Sequence, residues 1–177
     1  MNTIVIYKSK YGATKKYAEW IAEALSCEMV EAKNVKASDL LKYDTIIYGG
    51  GLYAEVINGV SLITKNFEEL KKKNLIVFST AITPLSYREY YDTYVIKKNF
   101  KPEMLEHIKI FNFMGKMLTD ELSLVHKAAL KSLKKIMMAK ENPTELERLL
   151  VNLCDYNDDE CDRESANVLI NYVKNLK

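Results

Sequence analysis

The sequence is short of the residues that interrupt or staple a chain. Six glycines and three prolines in 177 residues leave little room for long disordered linkers. Three cysteines, Cys27, Cys154 and Cys161, make an odd count with no CxxC spacing. That excludes a disulfide framework and a four-ligand zinc site, and it fits reduced thiols. No apolar run approaches the roughly 20 residues of a spanning helix. An excess of charge is missing too, since 26 basic and 24 acidic residues leave a formal +2. Such a balance does not argue for nucleic acid, and no basic stretch is interleaved with aromatics. Met1-Asn2-Thr3-Ile4-Val5-Ile6-Tyr7 enters an apolar strand at once, without the basic region and longer apolar run of a signal peptide. A cytoplasmic protein with no nucleic-acid partner is the expectation.

What is present suits one domain over residues 1–177, with 48% apolar and 28% charged residues. Thr3 to Tyr7, Thr45 to Tyr48 and Asn74 to Thr80 are short apolar runs that read as buried strands. Glu28 to Ala32 reads as a further short strand, and His107 to Phe113 as one that alternates more. The run Gly49-Gly50-Gly51 reads as the end of the Thr45 strand. Helical spacing predicts helices over Ala13 to Ser26, Val60 to Lys73 and Glu160 to Leu176, with a capped turn at Ala37 to Leu41. Strands alternating with helices imply a parallel sheet covered on both faces. Two segments exceed that pattern. Tyr87 to Phe100 is tyrosine-rich and helical in spacing. Asp120 to Lys140 reads as a basic amphipathic helix within an insertion at about 116–150. Its apolar line is Leu122, Val125, Ala129, Leu133 and Ile136, and Lys127, Lys131, Lys134 and Lys135 supply much of its polar side.

A parallel sheet binds ligands beyond the carboxyl ends of its strands. The loop Ser9-Lys10-Tyr11-Gly12-Ala13-Thr14 lies there and leads straight into a helix. Free N–H groups at a helix start attract an anion, Ser9 and Thr14 add hydroxyls, and Gly12 permits a tight turn. The loop has neither GxxxxGK[ST] nor GxGxxG, so triphosphate and ordinary dinucleotide sites are not indicated. An ordinary capped turn accounts equally well for these residue types.

Ser9-x-Tyr11-Gly12-x-Thr14 after an apolar first strand resembles the phosphate loop of flavodoxins, usually [ST]-x-[ST]-G-x-T. Tyr11 departs from it, standing where a small hydroxyl residue is usual. Tyr43 to Gly51 resembles the strand and loop leading to one side of a flavin ring, and Phe78 to Pro84 stands where the second ring loop should be. The resemblance implies a flavodoxin-like doubly wound α/β fold, with five parallel strands in order 2-1-3-4-5 and a helical insertion after strand five. It implies flavin mononucleotide (FMN) as cofactor. Ser9, Lys10, Tyr11, Gly12, Ala13 and Thr14 would hold the phosphate. Gly50, Gly51, Leu52 and Tyr53, with Thr80, Ala81, Ile82 and Thr83, would flank the ring. In outline the chain is similar to flavodoxin-type, menaquinone-linked protoporphyrinogen oxidases, which carry a basic, partly apolar insertion after strand five. An oxidoreductase passing electrons between a small or lipophilic substrate and a quinone or other acceptor is expected on that likeness. The alternative is a non-catalytic electron carrier docking on redox partner proteins.

Other features stay open between two readings. Tyr53 either stacks on the ring or packs at the surface. Tyr87, Tyr90, Tyr91 and Tyr94 line a pocket for a flat substrate or belong to amphipathic core. Arg88 meets a carboxylate or is solvated. His107 and His126 have no metal-ligand spacing and read as structural or exposed. The acids Asp155 to Asp162 lack the glycine and alternation of an EF-hand loop and read as residues preceding a helix. The 120–140 helix packs on the sheet or a second copy of the chain, or lies at a membrane interface or over a lipophilic substrate. No side chain stands out as a general acid or base, and none is expected to hold a metal.

Overall fold

The computed structural model describes residues 2–176. In chain order the elements are β1 (Thr3–Lys8), α1 (Ala13–Leu25), β2 (Glu28–Glu31), α2 (Ala37–Leu40), β3 (Thr45–Tyr53), β4 (Val56–Ile57), α3 (Ser61–Thr64), α4 (Phe67–Leu70) and β5 (Asn74–Ala81). A π-helical stretch, Tyr90–Val95, then runs into α5 (Ile96–Asn99) and β6 (Ile108–Met114). The chain closes with β7 (Lys116–Met117), α6 (Leu124–Met138), α7 (Glu145–Leu153), β8 (Asp158–Asp159) and α8 (Asn167–Lys174). The main sheet runs β2-β1-β3-β5-β6 with every pairing parallel, and β4 adds an antiparallel hairpin to β3. This is the expected 2-1-3-4-5 order.

The strands form as continuous apolar runs because both faces of the sheet are covered. On one face Ile4, Ile6, Ile46, Tyr48, Leu75 and Val77 pack with Leu40, Ile63, Phe67, Leu70, Tyr91 and Val95. On the other, Val5, Ile47, Ile76 and Phe78 pack under Tyr17, Ile21, Leu169, Ile170 and Val173 from α1 and α8. The alternation of strand residues between the two clusters is the period-two geometry of the strand.

Several boundaries differ from expectation. β3 does not stop at Tyr48 but runs through all three glycines to Tyr53. Gly49 is there because the Phe78 ring covers it: a Cβ would lie 2.1 Å from Phe78 Cζ. The helix expected over Val60 to Lys73 is two single turns, α3 and α4, separated at Asn66 (φ −108°, ψ 20°). The helix expected from Glu160 begins in earnest at Asn167, after a 3₁₀ turn over Glu164–Ala166. Asp162 takes up the backbone N–H groups of Glu164 and Ser165 before it, each at 3.0 Å.

The insertion leaves and returns through a two-residue antiparallel pair, β7 with β8, and Glu160 N–H donates to Gly115 C=O at 3.0 Å. Its helices bury no residue fully. α7 begins with a capping box in which Thr144 and Glu147 satisfy each other's backbone N–H. The inward line of α6 also differs from the expected one. Leu122, Ala129 and Leu133 of that line face a cavity against the domain, joined by His126 and Leu130, whereas Val125 (75% exposed) and Ile136 (59%) face out.

Candidate functional site

β1, β3 and β5 are adjacent and parallel, so their carboxyl ends deliver three loops to one edge of the sheet. The loop after β1 turns into α1 at Gly12, whose φ of 91° favours a residue without Cβ. Ser9 Oγ accepts the Gly12 N–H at 3.1 Å, and among the described residues no side chain caps the N–H groups of Ala13, Thr14 and Lys15 at the helix start. Thr14 is buried, and its hydroxyl lies 2.8 Å from that of Thr80, tying the first loop to the third. A Cβ built on Gly51 would stand 3.4 Å from the Tyr53 ring, 3.6 Å from Thr14 Oγ1 and 3.8 Å from Thr80 Oγ1. The three loops therefore converge on Gly51.

A cavity of about 510 Å³ opens at this point. Ser9, Lys10, Tyr11, Ala13 and Thr14, then Gly51, Leu52 and Tyr53, then Thr80, Ala81, Ile82 and Thr83 line it. Of the residues anticipated from the sequence, Gly12 and Gly50 are outside that lining. Gly12 sits behind the loop at the head of α1. A Cβ on Gly50 would meet Asn58 C=O at 2.6 Å, so that residue faces the β3–β4 hairpin. Tyr90 also lines the cavity, while Tyr91 is core, its hydroxyl donating to Thr83 C=O at 2.5 Å. Tyr94 is exposed, as is Arg88, which pairs with Asp92 on its own helix. His107 packs edge-on against Phe67, far from these loops in its role.

The opposite wall is supplied by the insertion: Leu122, His126, Ala129, Leu130, Leu133, Leu150, Leu153 and Cys154. Lys116 reaches over the phosphate-type loop, with its Cε 3.6 Å from where a Gly12 Cβ would be. Among the described residues no Asp or Glu lines the cavity, whereas Lys10, Lys116 and His126 do. Tyr53 lies tilted against His126, with ring centroids 5.5 Å apart. Burial, then the neighbouring Tyr11, pushes the Tyr53 phenol up to about 12, so it is a neutral flat wall. Burial also raises the Cys154 thiol. The site is thus polar and cation-bearing at the α1 end and apolar at the insertion end.

Leu122, Ala129 and Leu133 belong to the apolar line expected of α6, whereas nothing in the local spacing marks Lys116, His126, Leu130, Leu150 or Leu153 for this site. One signal existed, the odd tyrosine at position 11. Its hydroxyl is not directed at its own loop. It accepts the Ser123 N–H at 3.3 Å and lies 2.7 Å from His126 Nδ1, so it anchors the start of α6.

Among solved structures, a flavodoxin from the Archaea is 17% identical over 88% of this chain and 97% of its own, with a TM-score of 0.44. The flavodoxin, WrbA-like protein from Agrobacterium tumefaciens is 16% identical over 94% and 96%, at 0.46. Oxidised Flavodoxin 2 from Bacillus cereus is 16% identical over 87% and 95%, at 0.45. No curated protein matches the chain. The model of the flavodoxin domain, in contrast, matches residues 4–145, a span that includes β1, the three converging loops and α6. The chain belongs to the flavodoxin-domain family.

Proposed function

We propose that this chain binds FMN and works as a redox enzyme, passing electrons between a small or lipophilic substrate and a quinone or other acceptor. The observation that carries the cofactor assignment is the uncapped start of α1. Its N–H groups open into one cavity with both ring-type loops, two lysines and, among the described residues, no carboxylate. A dianionic phosphate satisfies N–H groups in that position by direct hydrogen bonds and by the helix dipole. Thr14 and Ser9 add hydroxyls, and Lys116 and Lys10 add charge. The apolar remainder of the cavity, between Tyr53 and the loop Thr80–Thr83, suits a flat ring. FMN, when bound, supplies the electron-transfer chemistry itself. The protein's part is to hold, orient and shield it, and no side chain is assigned as a catalytic acid or base.

Enzymatic use is favoured over a bare electron carrier by the insertion wall. Leu130, Leu133, Leu150 and Leu153 extend the cavity beyond the three loops with apolar surface. That surface matches a lipophilic second reactant better than a protein docking face. The outer side of α6 points the same way. Leu124, Val125 and Ile136 are exposed, next to Lys131 and Lys135, which form no ion pair among the described residues. This arrangement supports peripheral contact with an anionic membrane from which such a reactant is taken.

The test is titration with FMN, followed by the quenching of its fluorescence. Thr14→Val keeps the shape but removes the hydroxyl shared with Thr80. It is expected to weaken FMN roughly tenfold while a thermal melt stays cooperative. Unchanged affinity in Thr14→Val would reject the phosphate-loop assignment. Purified protein that is colourless and takes up no added FMN would reject the cofactor.

A further inference from the structure

Tyr11 replaces a small hydroxyl in the cofactor loop, and its own hydroxyl is spent on the insertion 112 and 115 residues away. The contact places His126 of α6 beside Lys10, with Nε2 and Nζ 3.4 Å apart. We propose that the insertion completes the phosphate site: His126 and Lys10 converge as paired donors on the phosphate of FMN, with Tyr11 fixing the imidazole. This inference rests on the FMN reading above.

The hydrogen-bond pattern sets the tautomer. Tyr11 Oη donates to Ser123 Oγ at 3.4 Å and accepts the Ser123 N–H. The Lys10 ammonium has no acceptor, so in their 3.4 Å contact Nε2 accepts, which puts the ring proton on Nδ1 and makes the 2.7 Å contact an Nδ1–H donation to Tyr11. Nε2 is left as an acceptor facing the Lys10 ammonium. A phosphate oxygen between them would turn that single long contact into two charge-assisted hydrogen bonds, one from Lys10 and one from a protonated Nε2. The groups facing His126 are Lys10 and Tyr11 from the loop, Tyr53 from the end of β3, and Ser123 from the cap of α6. Lys116 and Cys154 lie in the same cavity, and no carboxylate does among the described residues. Lys10 itself makes no ion pair among them, whereas Lys116 is paired with Glu121 at 2.9 Å.

Burial, and then the Lys10 charge, hold His126 below the usual imidazole range. An anion reverses the second effect, so FMN binding takes up a proton at His126. Affinity for FMN should then rise as pH falls through the raised, bound-state value and level off below the free one. Riboflavin, which has no phosphate, should show no such dependence.

The experiment is titration of the full chain with FMN and with riboflavin at about pH 7 and about pH 9, above the phosphate's second ionisation near pH 6. His126→Gln keeps a donor but cannot take up a proton. Wild type is expected to bind FMN about three- to tenfold more tightly at the lower pH, and His126→Gln to lose that gain. With only two histidines in the chain, the His126 ring signal can be followed by NMR in the unaltered protein, and saturation with FMN should raise its midpoint. Equal FMN affinity and pH dependence in wild type and His126→Gln, or an unmoved His126 midpoint, would overturn the inference and leave the FMN reading intact. The same pH gain with riboflavin would also overturn it. Failure of wild type to bind FMN at all would overturn both.

Discussion

Asn99 holds down a turn of two consecutive left-handed residues that are not glycine. The β3–β4 hairpin is joined by Ala54 and Glu55, both left-handed, with φ of 45° and 70°. Two-residue hairpin turns of this hand favour Asn-Gly or Gly-containing pairs, because a Cβ costs roughly 1–2 kcal/mol in that conformation. The strain persists because Asn99 over-determines the turn. Its Nδ2 donates to Glu55 C=O at 2.6 Å, and its Oδ1 accepts the Ile57 N–H at 2.8 Å. The turn follows directly on Tyr53, and Ala54 itself lines the cavity, so the strain sits beside the proposed ring site. Glu55→Gly should therefore raise unfolding stability by about 1 kcal/mol in a urea titration, and Asn99→Ala should lower it by about 1–2 kcal/mol. A fall in stability for Glu55→Gly would mean that the turn is not strained. None of this was legible in the sequence. Ala-Glu is not a turn pair, and Gly49-Gly50-Gly51 reads as a breaker when no partner is in view. Only the Phe78 ring lying over Gly49 shows why a strand continues there.

At the scale of elements, an ion pair that titrates in acid ties the base of the insertion to the domain. Asp159 in β8 meets Lys16 in α1 at 2.6 Å. Burial pushes the Asp159 carboxyl up, but hydrogen bonds from Lys16 and Cys161 outweigh it and bring the group down to about 2. The folded value lies below the ordinary carboxylate value of about 3.9. The link therefore contributes stability above about pH 4 and loses it as pH falls towards 2. Thermal midpoints of wild type and Asp159→Asn should differ at neutral pH and converge between about pH 4 and 2; a constant gap across that range would remove Asp159 as the titrating link. The elements themselves were unequally legible. Buried strands announced themselves as apolar runs, and their order followed once alternation implied a doubly wound sheet. The faces of α6 did not. Of the expected line, Leu122, Ala129 and Leu133 do line the cavity, but Val125 and Ile136 face out, and His126 joins the inner side through its contact with Tyr11 across the chain, which no local period encodes.

At the scale of the whole molecule, a near-neutral chain still carries lysines beside exposed apolar residues on the outer side of α6. Lys16, Lys33 and Lys71 are paired with carboxylates, whereas Lys131 and Lys135 stand beside the exposed Val125 and Ile136 with no ion pair among the described residues. No helix among the described residues is long and apolar enough to cross a membrane. The proposed surface contact through α6 would bring the leucine-lined end of the cavity close to the bilayer. An apolar strip flanked by lysines gains from both burial in the headgroup region and attraction to anionic lipid, with the second part screened by salt. The full chain should therefore sediment with vesicles containing phosphatidylglycerol and not with pure phosphatidylcholine, and raised salt should release much of it. Val125→Asp with Ile136→Asp should abolish sedimentation while leaving FMN affinity unchanged, since neither residue lines the cavity. Binding that survives the double substitution would move the contact away from α6. A chain that ignores both vesicles but dimerises with concentration in sedimentation velocity, and loses the dimer on the same substitutions, would assign the strip to a second copy of itself.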